Sequence, residues 1–326
     1  MSIVTEADLT FSAMGSDVRL MIGLPLAAGR ADPAVAAEAE RRWIMDFARR
    51  LSRFVPDSEL SRLNAAGQET VPASALLRAA VSAGLWAAQR SAGLVDPTLT
   101  GALRRVGYTA SREGQAPASL SEALAAAPPR APARPARPGA WRAVQVDDQA
   151  GTITRPAGTQ LDTGGTGKGL CADAVVARLG AYRRCLVDCG GDIAVGGVGA
   201  QLEPYTIGIE HPLSAETVGS IALGRGGVAT SGLNVRLWAD SAGGYQHHLL
   251  DPSTGRPAWT GLIGVTAVSP DGALAAETLA KMALLLGPAG ARDVLNEHGG
   301  LTVADDGTVE LVGPLAFTAV DGAVTA

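Results

Sequence analysis

Only two of the 27 basic residues in this 326-residue chain are lysines, Lys168 and Lys281, and each stands where chemistry could be done. Lys168 lies in LDTGGTGKGLCADAVVARLG, residues 161–180, where glycines 164, 165, 167 and 169 permit tight bends and close approach of backbone to a ligand. A helix is expected to start in this loop. Its first N–H groups, with Asp162 ahead of the turn and Asp173 in the first helical turns, would frame an anion site suited to a phosphate-bearing ligand. The spacing is not a P-loop, because Asp162 takes the place of the first glycine and Gly169 follows the lysine. It is not a dinucleotide fingerprint either, because Leu170 replaces the last glycine. Taken alone, the glycines make either a tight structural turn or a ligand loop. A chain that writes arginine almost everywhere and keeps lysine twice points to a need for a compact ammonium at those positions.

Lys281 follows Glu277 by four residues in AAETLAKMALLLG, so the two side chains share a helical face. They form either an exposed ion pair worth about 0.3 kcal/mol or the polar spot of a largely buried helix, which the surrounding Ala, Leu and Met favour. Two of the four histidines, His247 and His248, are adjacent in YQHHLLDPSTGRPA. On a strand they point to opposite faces, so at most one enters a given cleft. Asp251 and its Pro-Ser-Thr-Gly turn follow directly. A histidine near a carboxylate is a candidate general base, and the competing reading is a packed strand residue. Cys171, Cys185 and Cys189 lack metal or redox spacing and read as small core residues.

The elements that must position these groups follow from periodicity. Residues 8–25 alternate as a strand pair or one bent strand, broken at Met14-Gly15-Ser16. Pro33 to about Phe54 is a helix with Ala36, Ala39, Trp43, Phe47 and Leu51 on one face. Pro56 ends it, and Asp57 or Ser58 can cap a short successor. Ser74 to Arg90 is a second amphipathic helix, followed by the turn Asp96-Pro97-Thr98. Residues 109–140, rich in Pro, Ala and Arg, read as a surface insertion or linker within one domain spanning 1–326. AVQVDD and TITRP make a hairpin. Antiparallel strands with glycine turns fill the second half, with helices over Ala273–Leu286 and Ala289–His298. Helices early and strands late predict an α+β fold.

A formal charge of -5 supplies no basic field for nucleic acid. The opening MSIVTEADLTFSAMG has early acids and no apolar leader core, and no stretch nears the roughly 18 apolar residues of a membrane span. The expected location is the cytoplasm.

Eight segments in order, AMGSDVRL, LSRFVPDSELSRLN, VDPTLTGALRRVGY, LDTGGTGKGLCADAV, LVDCGGDIAVGG, VATSG, HHLLDPSTGRPA and AAETLAKMALLLG, together resemble the ApbE-type flavin transferases. The resemblance implies a T-fold-like α+β architecture of largely antiparallel sheets with packed helices. It implies an enzyme that splits FAD and attaches FMN by a phosphoester to a Thr or Ser of an acceptor flavoprotein. Alternatives on the same scaffold are a non-catalytic FAD-binding or flavin-delivery protein and a FAD pyrophosphate hydrolase. By motif, FAD would be held by Met14, Phe54, Leu94, Val95, Asp96, Asp162, Lys168 and Leu249, with His248, Lys168 and Asp251 as catalytic groups. The family's Mg²⁺ would be bound by the Gly165 carbonyl and the helix positions that are Glu277 and Lys281 here. Glu277 can offer oxygen, but an ammonium cannot ligate a cation, so Lys281 is expected to stand in the metal's place.

Overall fold

The computed structural model describes residues 6–320; residues 1–5, on which the reading of the N-terminus partly rests, lie outside them. Among the described residues, eight strands form one sheet whose spatial order is the chain order. They are β1 (Glu6–Ala13), β2 (Ser16–Gly23), β3 (Cys185–Cys189), β4 (Asp192–Gly196), β5 (Gly226–Gly232), β6 (Leu262–Ser269), β7 (Gly300–Ala304) and β8 (Val309–Val312). Every neighbouring pair is antiparallel.

The first hairpin resolves the choice left open for residues 8–25 in favour of a strand pair. Ala13 pairs with Ser16 across a two-residue turn in which Met14 (φ 54°) and Gly15 (φ 69°) are both left-handed. That backbone matches the right-handed twist of the flanking strands, although methionine adopts it under strain.

Helices α1 (Pro33–Leu51), α2 (Glu59–Ala65), α3 (Ala75–Arg90), α4 (Thr100–Arg105), α5 (Leu120–Ala126) and α6 (Gly167–Arg178) lie between β2 and β3, and α7 (Ala273–Leu295) between β6 and β7. Asp32 caps α1 by accepting from the Ala34 N–H, with Pro33 at the first helical position. α1 ends at Leu51, short of Phe54, because Ser52 is already extended. Its buried stripe runs through Ala36, Glu40, Ile44, Phe47 and Leu51, which leaves the expected Ala39 exposed and Trp43 half-buried. Ser58 and Ser74 cap α2 and α3 by accepting from Ser61 and Leu77 N–H groups at 2.9 and 3.1 Å. Within α7 the two expected helices meet at Gly287, whose φ of 74° and ψ of -176° are non-helical ahead of Pro288, and the second ends at Leu295, short of His298.

The central strands separate two apolar cores. Along β3, Leu186 joins one core while Cys185, Val187 and Cys189 join the other, and along β4 Ile193 and Val195 oppose Ala194 in the same way. The three cysteines are free and buried. A small three-stranded sheet unites the expected hairpin, Gln145–Asp147 with Thr152–Thr154, and a further strand, Thr70–Pro72. Residues 109–140 lie along the core. Ala118, Ala131 and Ala133 donate backbone hydrogen bonds to the carbonyls of Leu237, Trp259 and Leu285 at 3.0, 3.0 and 2.8 Å.

Candidate active site

Helices α6 and α7 pack side by side and each serves the other's first turn. Asp173 of α6 accepts from the N–H groups of Ala273 and Leu274, at 2.7 and 2.9 Å, at the start of α7. Glu277 of α7 accepts from the Gly169 N–H at 2.9 Å, at the start of α6. Both carboxylates therefore sit on the positive ends of helix dipoles. The approach requires glycine, since a Cβ on Gly169 would come within 2.7 Å of the Leu274 backbone. Asp173 thus acts as a helix cap here, and Glu277 occupies one of the amide donors that the sequence offers to a phosphate.

Two ammonium–carboxylate pairs follow. Lys281 Nζ lies 2.8 Å from the second oxygen of Glu277, which is fully buried. Lys168 Nζ lies 2.5 Å from Oδ2 of Asp192, a residue only 1% exposed, and donates to the Gly190 carbonyl at 3.1 Å. Asp192 is not among the residues expected at the site, and its one signal in the sequence is a carboxylate directly after the double glycine Gly190-Gly191. Burial pushes the Glu277 pKa up, helped by the charge of Asp192 and opposed by Lys281 and Lys168. Burial works against the charge of Lys168, but Asp192 and Glu277 outweigh it and raise its pKa.

The adjacent histidines diverge. His247 ends its strand wholly buried, edge-on to Trp259 at 4.8 Å, and desolvation lowers its pKa to about 3. His248 feels the charges of Lys281, Arg236 and Lys168. Burial first, then those neighbours, hold its pKa well below the ordinary imidazole value, so it is neutral at pH 7. Its buried Nδ1 has no hydrogen-bond partner among the described residues. Asp251 accepts from Arg134 N–H, Ser253 N–H and Ser253 Oγ–H at 3.1, 2.9 and 2.8 Å. It organises the turn after His248, and no hydrogen bond joins the two among the described residues.

Arg236 donates to the Gly15 carbonyl, and Gly190 packs on Ser16, so the Met14 turn abuts the turn that holds Lys168. Leu94 and Val95 are buried, and Val95 lies against Gly165; Asp96 accepts from the Thr98 N–H at 2.7 Å. Asp162 pairs with Arg53 at 2.6 Å and accepts from the Gly164 N–H at 2.6 Å. Arg53, which the motif reading also passes over, stacks on Phe54 and Tyr108 at 4.1 and 4.7 Å. Tyr108 continues the row to Trp238 at 5.5 Å, beside a cavity of about 910 Å³ lined by Arg105, Arg112, Trp238, Tyr245, Arg256 and Trp259. Leu249 is buried in the core, its carbonyl accepting from Ala258 at 2.9 Å.

These residues do not fit Mg²⁺. Both oxygens of Glu277 are engaged, Lys281 has no lone pair to give, and no cluster of three His, Cys, Asp or Glu suited to a metal occurs among the described residues.

Fold and site define an α+β protein with two carboxylate-paired ammonium groups, a neutral histidine and a row of aromatic rings. The family model described as "ApbE family" matches residues 14–304, and the chain belongs to that family. It is 30% identical to the FAD:protein FMN transferase of Treponema pallidum, over 75% of this chain and 69% of that protein. It is 31% identical to the FAD:protein FMN transferase of Salmonella typhimurium, over 43% of this chain and only 40% of that protein's length. The crystal structure of the ApbE protein from Thermotoga maritima superposes with a TM-score of 0.75 at 25% identity, over 94% of this chain and 97% of that one.

Proposed function

We propose that this chain, acting as a single domain, is a FAD:protein FMN transferase. Family membership and the names of the transferases it resembles support the activity. The observation that carries it is the ammonium of Lys168, fixed by Asp192 and Gly190, with the neutral His248 within reach of its charge. In the reaction a Thr or Ser hydroxyl oxygen of the acceptor flavoprotein attacks the FMN phosphorus of FAD. A phosphoester bond forms, the pyrophosphate P–O bond breaks, and AMP leaves with the bridging oxygen. The hydroxyl proton passes to His248, whose neutral imidazole is ready to accept it and whose pKa rises once the pyrophosphate brings negative charge alongside. Lys168 offsets charge on the phosphate oxygens. Met14, Phe54, Leu94, Val95, Asp96, Asp162 and Leu249 would surround FAD, with a flat ring beside Phe54, and Asp251 would position His248 through the turn it organises.

A mass spectrum of an acceptor flavoprotein domain after incubation with this protein and FAD tests the reading. Gain of one FMN moiety is expected. FAD bound but intact, with an unmodified acceptor, would assign the chain to flavin binding or delivery; release of FMN and AMP without transfer would make it a hydrolase.

A further inference from the structure

We infer that the ammonium of Lys281 takes the role of a divalent cation in this protein, so that FMN transfer proceeds without a metal; this rests on the transferase reading. Lys281 Nζ is held 2.8 Å from Glu277 Oε1 in a site where the lysine side chain is 11% exposed and the glutamate 0%. The other Glu277 oxygen accepts from the Gly169 N–H, so each carboxylate oxygen already has a donor, one of them the ammonium that a cation would have to displace. The bond to Glu277 uses one of three N–H donors of the ammonium, which leaves two for oxygens of a pyrophosphate.

Charge points the same way. Lys168 and Lys281 carry two positive charges against the two negative charges of Asp192 and Glu277, so the four side chains form a closed, neutral set before any ligand arrives. A dication entering beside Glu277 would be pressed against the Lys281 ammonium and would also meet the charge of Lys168, which Glu277 already feels. His248 feels the charges of both lysines, which places the base within electrostatic range of the two ammonium groups. In the transfer, Lys281 stays protonated. Its N–H groups donate to the phosphate oxygens and offset the charge that grows on the departing AMP, and no proton leaves it.

The test uses the full chain with FAD and an acceptor domain. Mn²⁺ titration followed by electron paramagnetic resonance should show no stoichiometric ion in the FAD complex, and transfer should run at the same rate in EDTA as in Mg²⁺. The Lys281→Met variant should lose about 100-fold in transfer rate, the scale of one lost charge-stabilising donor. The double variant Glu277→Asp with Lys281→Thr should gain one Mn²⁺ per chain, with FAD titration reporting that it is folded. One Mn²⁺ bound per unmodified chain, or transfer abolished by EDTA, overturns the inference. Absence of transfer in both Mg²⁺ and EDTA overturns the transferase reading instead, and the Mn²⁺ titration still decides what stands beside Glu277.

Discussion

His247 carries a cost that depends on pH. In the unfolded chain its imidazole takes up a proton near the ordinary value of 6.5, whereas in the fold it stays neutral down to about 3. Between those values the unfolded state binds the extra proton, so acid favours unfolding. Stability is expected to fall as pH drops from 6.5 toward 3, by up to about 1.4 kcal/mol per pH unit from this group alone. Urea midpoints measured across that range should flatten in His247→Phe; an unchanged slope would mean that other groups set the acid response. Lys168 answers to a different balance, because Asp192 depends on it. Lys168→Ala should weaken FAD binding at least tenfold, as a lost charge-assisted contact of about 1.5 kcal/mol requires. It should also cost about 3 kcal/mol of stability by stranding a buried carboxylate. Fluorescence titration checks the first, and an unchanged affinity would remove Lys168 from the phosphate site.

Among elements, α7 is the one that depends most on its neighbour. Its N-cap residue is Gly272, which has no side chain to offer, and Asp173 supplies the acceptors from across the helix pair. Asp173→Ala should therefore behave as loss of an N-cap, lowering stability by about 1–2 kcal/mol. Asp173→Asn should recover part of it; a melting temperature unmoved by either variant would count against the cap. This is also where legibility ends. The caps Ser58 and Ser74, the break at Met14-Gly15 and the stop at Gly287-Pro288 were readable because each signal lies within a few residues of its effect. The stripe of α1 shifted by one residue because Glu40 and Ile44, not Ala39 and Trp43, face the core, and the partner that lets a glutamate be buried there, Arg178 at 2.6 Å, lies far along the chain. Asp173 and Arg53 could not be assigned, since their partners lie 100 residues or more along the chain. Motif comparison brought Lys168, His248, Glu277 and Lys281 to one neighbourhood, yet it was silent on Asp192, which fixes the first of them.

At the scale of the whole molecule, one sheet contributes alternate residues to both apolar cores, so neither core can be lost while the other keeps its wall. Unfolding is expected to be one cooperative transition, with circular dichroism and tryptophan fluorescence tracing the same denaturant curve; two separated transitions would refute a single domain. The chain stays in line with the sheet because each strand pairs with the next, while the long excursions carry the site. Those excursions meet at the exchange of carboxylates between α6 and α7. That exchange makes the glycine loop and the last helix a heritable unit although they are far apart in the gene. A chimera receiving either segment alone from a relative whose α7 bears a different residue at the Glu277 position inherits half a lock. Transplanting both together should restore folding and FAD affinity, whereas single exchanges should lose both.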